Sequence, residues 1–235
     1  MSGLTKVYKG VRAVDGLSFT VRPGRVTGFL GPNGAGKTTT LRMLLNLVTP
    51  TSGTATIGGQ RYADLRDPLR HVGAVLEASS AHKGRTGLNT LRVSCAAAGF
   101  PARRADEVIE LVGLGAAAKR KFKGYSLGMK QRLGIAYALL GDPRVLILDE
   151  PANGLDPEGI RWMRGLLQQL AAEGRTVLVS SHLLSEMEVL AHDVVIIAAG
   201  QLVRQGTVHE ILASVGGGVV VVRTPKPEAL AAAVA

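Results

Sequence analysis

Short runs of consecutive apolar residues recur along the chain, most of them closed by glycine, serine or a carboxylate. Val26-Thr27-Gly28-Phe29-Leu30, Val72-Gly73-Ala74-Val75-Leu76, Val145-Leu146-Ile147-Leu148, Val177-Leu178-Val179 and Val194-Val195-Ile196-Ile197 are the clearest. They are too short for ordinary helices and apolar at successive positions, which predicts strands buried on both faces. Thr54-Ala55-Thr56-Ile57 predicts a further strand. Helical stretches separate them. Thr38 to Leu47 follows a glycine-rich turn, and Ala105 to Val112 has helical periodicity. After Asp156-Pro157, an N-cap with proline at the first helical position, Ile160, Met163, Leu167 and Leu170 share one apolar face. From about Thr86 to Ala138 the residues are mainly Ala, Leu, Arg and Glu. Strands alternating with helices predict an α/β fold with a mainly parallel sheet and a helical insertion at about residues 78–138.

Composition narrows this picture little. The chain has 235 residues, 46% hydrophobic and 20% charged, enough for one large domain or a domain with an inserted subdomain. Only 4% are aromatic, so the core must come from Val, Leu, Ile and Ala. No apolar run approaches the ~20 residues that cross a bilayer, and no N-terminal secretory pattern is present. The expectation is a soluble, cytoplasmic protein. Cys95 is the only cysteine, which rules out an intrachain disulfide, and its apolar neighbours predict a buried thiol. The net charge of +10 favours nucleotides, nucleic acid or anionic lipid head groups without choosing among them. Its densest stretch is Lys119-Arg120-Lys121-Phe122-Lys123, either a solvated surface or a contact for phosphate or a membrane-proximal partner.

Chemistry enters at Gly31-Pro32-Asn33-Gly34-Ala35-Gly36-Lys37-Thr38, which fits G-x-x-x-x-G-K-[ST] in full. Its glycines let backbone N–H groups turn around phosphate oxygens, and the following helix directs its positive end at them. Lys37 should reach the β- and γ-phosphates, Thr38 should place its hydroxyl on Mg²⁺, and Thr39 joins the nucleotide contacts. Such a site also needs an acid on a neighbouring strand for the magnesium shell. Asp149, closing Val145–Leu148, is that acid, and Glu150 beside it could orient or deprotonate the attacking water. No Asn-Lys-x-Asp guanine-reading motif occurs, which argues against a GTPase.

Tyr125-Ser126-Leu127-Gly128-Met129-Lys130-Gln131-Arg132, Leu146-Ile147-Leu148-Asp149-Glu150-Pro151, Gly154-Leu155-Asp156 and Ser180-Ser181-His182 follow in that order. The chain resembles the ATP-binding subunits of ABC transporters, nearest the drug- and antibiotic-export class that includes daunorubicin and bacitracin exporters. The resemblance covers almost everything to about residue 212. It implies a P-loop NTPase with a mainly parallel core sheet, an antiparallel N-terminal β part and an inserted helical subdomain. It further implies a head-to-tail homodimer holding two ATP molecules, each between one subunit's phosphate loop and the other's Ser126 and Gly128. Tyr8 matches the residue that stacks on adenine, His182 the histidine that contacts γ-phosphate and water, and Asp156 the loop between subunits. A separate integral membrane permease is the implied partner, with the subunit held at the inner face of the cell membrane.

Three departures stand out. Tyr125, Leu127 and Met129 replace the first, third and fifth residues of the usual Leu-Ser-Gly-Gly-Gln. Glu77 falls at or near the usual magnesium-contacting glutamine, so it joins Thr38 and Asp149 as a metal candidate. The chain begins where relatives already have a completed strand, and Gly216-Gly217-Gly218 reads as a hinge before a C-terminal piece; a domain at 1–215, a further segment at 216–235 and a trimmed chain are the expectations. Two rival functions remain at this point. One is an ABC ATPase acting on nucleic acid or ribosomes, disfavoured because Thr38 and Asp149 are only about 110 residues apart, no heptads intervene and one cassette is present. The other is a module that binds ATP without turnover. Nucleic acid is not an expected partner, and direction of transport is not legible.

Overall fold

The structure, a computed structural model, describes residues 1–76 and 81–215. Glu77, the Gly216–Gly218 hinge and the 216–235 segment lie outside the described residues. The chain opens with an antiparallel hairpin, β1 (Ser2–Tyr8) and β2 (Val11–Leu17). Its two-residue turn, Lys9-Gly10, has positive φ at both positions, the geometry that matches strand twist. β3 (Val26–Leu30) then leads into α1 (Lys37–Leu44). β4 (Ser52–Thr54) pairs with β1, completing a three-stranded antiparallel sheet in the order β2-β1-β4.

A short helix α2 (Pro68–His71) precedes β5 (Val72–Val75). Three helices follow, α3 (Gly87–Ala98), α4 (Arg103–Leu111) and α5 (Leu127–Leu139). The chain re-enters the sheet at β6 (Val145–Leu148) and continues through α6 (Pro157–Ala172), β7 (Thr176–Ser181), α7 (Leu184–Leu190), β8 (Asp193–Ala198), β9 (Gln201–Thr207) and α8 (Val208–Val215). The six-stranded sheet has the order β5-β6-β7-β3-β8-β9 and is parallel except for β9.

Burial on both sheet faces explains the continuous apolar strands. Leu146, Leu148, Val177 and Val179 pack with the helical region, while Ile147, Leu178, Phe29 and Val195 pack toward α1 and the antiparallel sheet. Cys95 is buried among the helices, and burial pushes its thiol pKa up.

Two expected elements are corrected. Thr54–Ile57 is not a strand: the strand is Ser52–Thr54, and Ile57 instead forms an isolated bridge to Gln60 across Gly58-Gly59. The first helix stops at Leu44 rather than Leu47, because Asn46 turns to positive φ and Leu47 N–H bonds back to the Arg42 carbonyl. At the sheet's opposite end from Lys37, Asp193 at the start of β8 takes hydrogen bonds from Arg25 and Arg22. His192 beside it accepts from the Val26 N–H, a structural use of that ring.

Candidate active site

The parallel order places the ends of β3, β6 and β7 side by side, and the loop 31–36 leaves β3 there. Gly31 N–H bonds to the Ser181 carbonyl at 3.3 Å, Ala35 N–H closes a turn onto Pro32, and Thr40 N–H bonds to the Gly36 carbonyl. Gly36 adopts φ 98°, and a Cβ on it would stand 2.5 Å from the Ala13 carbonyl oxygen. The turn is therefore pressed against β2 in a conformation only glycine adopts without strain.

Lys37 is buried, yet its ammonium is satisfied. Nζ donates to the Gly31 carbonyl at 2.6 Å and to that of Pro32 at 3.4 Å, and lies 3.3 Å from Glu150 Oε1. Thr38 Oγ1 donates to Asp149 Oδ2 at 2.6 Å. His182 Nδ1 meets Glu150 Oε2 at 3.0 Å. Five residues from three segments, the start of α1 and the ends of β6 and β7, thus converge. Glu150 Oε1 is buried and receives no hydrogen bond. Its charge is met by the Lys37 ammonium 3.3 Å away, while its hydrogen-bonding capacity stays open to a polar ligand or water.

Sequence reasoning did not single out what holds the two carboxylates. Ser180, fully buried on β7, donates to Asp149 Oδ1, and its oxygen accepts the Glu150 N–H at 2.9 Å. On the other side Gln131 of α5 donates from Nε2 to the Glu150 carbonyl at 3.3 Å. Glu150 sits at φ 48°, an unfavourable backbone for a non-glycine residue. Side chains from β7 and α5 therefore clamp a strained peptide from both ends. The only available signal was a serine two positions before His182 and a glutamine inside the Ser126–Arg132 run.

The remaining candidates lie elsewhere. Ser126 caps α5 by accepting the Met129 N–H at 3.2 Å, and it is exposed, with no hydrogen bond to residues 31–38 among those described. Gly128 is not at positive φ, and a Cβ there would meet its nearest neighbour only at 3.4 Å, so nothing within the chain demands glycine. Tyr8 is 43% exposed at the hairpin end with Lys6 Nζ 4.9 Å from its ring centre. Asp156 accepts the Gly159 N–H at 2.7 Å as the cap of α6.

The departures from the usual signature have local causes. Tyr125 is buried and donates to the Ala117 carbonyl, in space that exists because residue 87 is glycine. Leu127 lies over Gly154, where a Cβ would come within 2.1 Å of its side chain. This joins the start of α5 to the loop before Asp156. Met129 packs half-buried on the core.

A metal would find one carboxylate and one hydroxyl, since no group of three or more His, Cys, Asp or Glu gathers among the described residues. Thr38 and Asp149 are hard oxygen donors that already meet, although β7 lies between β6 and β3, so the acid is one strand further off than the expected neighbour. This set fits Mg²⁺, which keeps several waters and takes other ligands from phosphate, and does not fit a caged transition metal. No helix among the described residues is long and apolar enough to cross a membrane.

The family model described as ABC transporter matches residues 14–153. The bacitracin transport ATP-binding protein of Bacillus licheniformis is 47% identical over 205 residues, covering 86% of this chain and 67% of that protein. The daunorubicin/doxorubicin resistance ATP-binding protein of Streptomyces peucetius is 40% identical over 227 residues, covering 94% and 69%. Among solved structures, an ATP-binding subunit of an ABC transporter superposes with a TM-score of 0.81 at 28% identity, over 92% of this chain and 93% of that one. A dimeric ATP-binding cassette holding ADP and Pi has a TM-score of 0.80 at 24% identity, over 88% and 97%, a likeness of fold. These relatives give the nucleic-acid alternative no support.

Proposed function

The chain belongs to the ABC transporter family as an ATP-binding, ATP-hydrolysing subunit, and from that premise we propose that it drives export of drug- or antibiotic-like compounds. It does so through a separate membrane permease, working in pairs at the cytoplasmic face. The relatives' names support the export class. One observation carries the pairing: Lys37, Thr38, Asp149, Glu150 and His182 gather at one place, while capped α5 presents Ser126 and Gly128 outward with no partner in their own site.

In this reading residues 31–36 wrap the β- and γ-phosphates with backbone N–H groups, and Lys37 turns from its loop carbonyls to the phosphate oxygens. Tyr8 stacks on the adenine. Mg²⁺, held through Thr38 and Asp149, supplies charge neutralisation at the phosphate oxygens. His182 fixes Glu150 through Oε2, leaving Oε1 to accept a proton as water oxygen attacks the γ-phosphorus and ADP departs. The second subunit's α5 completes the site with its helix N-terminus, Ser126 hydroxyl and Gly128 N–H. Residues 1–215 form the cassette, with the helical insertion as its permease-facing part.

The test is steady-state phosphate release. Glu150→Gln should bind ATP with near-unchanged affinity and lose about 100-fold or more in kcat. Unaffected turnover would contradict the assignment. Co-purification of a polytopic membrane protein, and stimulation of hydrolysis by its compounds, checks the transport role.

A further inference from the structure

Several arginines of this molecule pair with carboxylates. Arg12 pairs with Asp15, Arg22 and Arg25 with Asp193, Arg61 with Asp64, Arg92 with Asp106, Arg104 with Glu107, and Arg175 with Asp142 and Glu173. One region instead gathers several cations that have no carboxylate partner among the described residues. The segment 83–85, before α3, and the segment 119–123, before α5, run side by side. Lys123 N–H bonds to the Lys83 carbonyl at 3.1 Å, Phe122 N–H to Arg85 at 2.8 Å, and Gly87 N–H to Arg120 at 3.3 Å. A bridge between Thr86 and Lys121 adds to the zip.

This pairing forces Lys83, Arg85, Lys119, Arg120, Lys121 and Lys123 together. All six are exposed, and none makes an ion pair among the described residues. Six like charges held by backbone hydrogen bonds repel one another, a cost that an external polyanion would offset. Phe122 and Tyr125, the aromatics of this stretch, are buried, so no ring is offered for stacking on a nucleic-acid base.

We propose that this six-cation platform binds the anionic phospholipid surface of the membrane, holding the subunit there independently of its permease. The proposal rests on the transporter reading. Each cation near such a surface contributes about a fivefold gain in binding. The wild-type chain should therefore sediment with vesicles of phosphatidylcholine plus phosphatidylglycerol and not with phosphatidylcholine alone, with binding that weakens steeply as salt rises.

The quadruple variant Lys83→Ala, Arg85→Ala, Lys119→Ala, Lys121→Ala should lose several-hundred-fold in vesicle binding. A charge-matched variant, Arg66→Ala, Arg144→Ala, Arg161→Ala, Arg204→Ala, should retain most of it. Equal loss in both variants, no dependence on anionic lipid, or tighter capture of an RNA competitor by the same residues would overturn the platform. Hydrolysis of Mg-ATP in solution reports separately on the catalytic reading. The platform variant should keep wild-type turnover, which also shows that it folds, and a wild-type chain without turnover would sink the transport reading whatever the vesicles show.

Discussion

Ser180→Ala removes a single oxygen that serves both carboxylates of the candidate site. The hydroxyl is fully buried, donates to Asp149 and accepts the Glu150 N–H. A hydrogen bond to an ionised group contributes about 1.5–3 kcal/mol, and a buried N–H left unsatisfied costs about 1–3 kcal/mol. The two terms describe one truncation and overlap, so the expected loss is about 2–4 kcal/mol. For a chain of this size that corresponds to roughly 5–15 °C in Tm. The catalytic effect should be separable. Glu150 would be released from one end of its strained peptide, and small displacements of a reacting group cost up to about 100-fold, so kcat should fall 10- to 100-fold. ATP affinity should change little, because Lys37 and residues 31–36 are untouched. Thermal unfolding followed by circular dichroism, together with phosphate release across ATP concentrations, measures both. A variant within about 2 °C and twofold of wild type in kcat would show that Ser180 merely fills space.

Two further substitutions probe other parts of the account. Burial by itself would raise the Asp193 carboxyl pKa, but hydrogen bonds from Arg25 and Arg22 outweigh it and hold the group below the usual carboxylate range. A lowered folded-state pKa gives stability that is full above the unfolded value and lost as pH falls through the folded one. Asp193→Asn should therefore cost about 1–3 kcal/mol in urea unfolding at pH 7, discounted because Arg22 is largely exposed, with the gap closing below about pH 4. A pH-independent gap would contradict the ion-pair account. Gly36→Ala forces a side chain into φ 98° and against the Ala13 carbonyl, so affinity for a fluorescent ATP analogue should drop at least about tenfold. Retained affinity would mean that the turn relaxes freely.

What the sequence disclosed followed burial. β3, β6, β7 and β8 are covered on both faces, so their residues are apolar in succession and legible as strands. β9 was not legible, since it is largely exposed and polar and is defined by antiparallel pairing to β8. The mistaken strand at Thr54–Ile57 has a similar origin: β4 exists where β1 offers it partners, starting two residues earlier than its apolar residues suggest. At the site, residues 31–38 and the Asp149-Glu150 pair were readable because phosphate chemistry needs those types at that spacing. Ser180 and Gln131 were not, because a polar residue in a buried strand or helix has no sequence mark of what it touches. Tyr125 looked like a defect of the signature until Gly87 was seen to make room for it.

The most direct test of the central claim, a site completed by two subunits, is a mixing experiment. Lys37→Ala disables the phosphate loop and Ser126→Arg disables the outward face of α5, so neither variant should hydrolyse ATP alone. Random pairing makes half the dimers mixed, and each mixed dimer has one complete site of two, so mixing should restore roughly a quarter of wild-type turnover. No recovery on mixing, or full turnover by Ser126→Arg alone, would contradict the shared site.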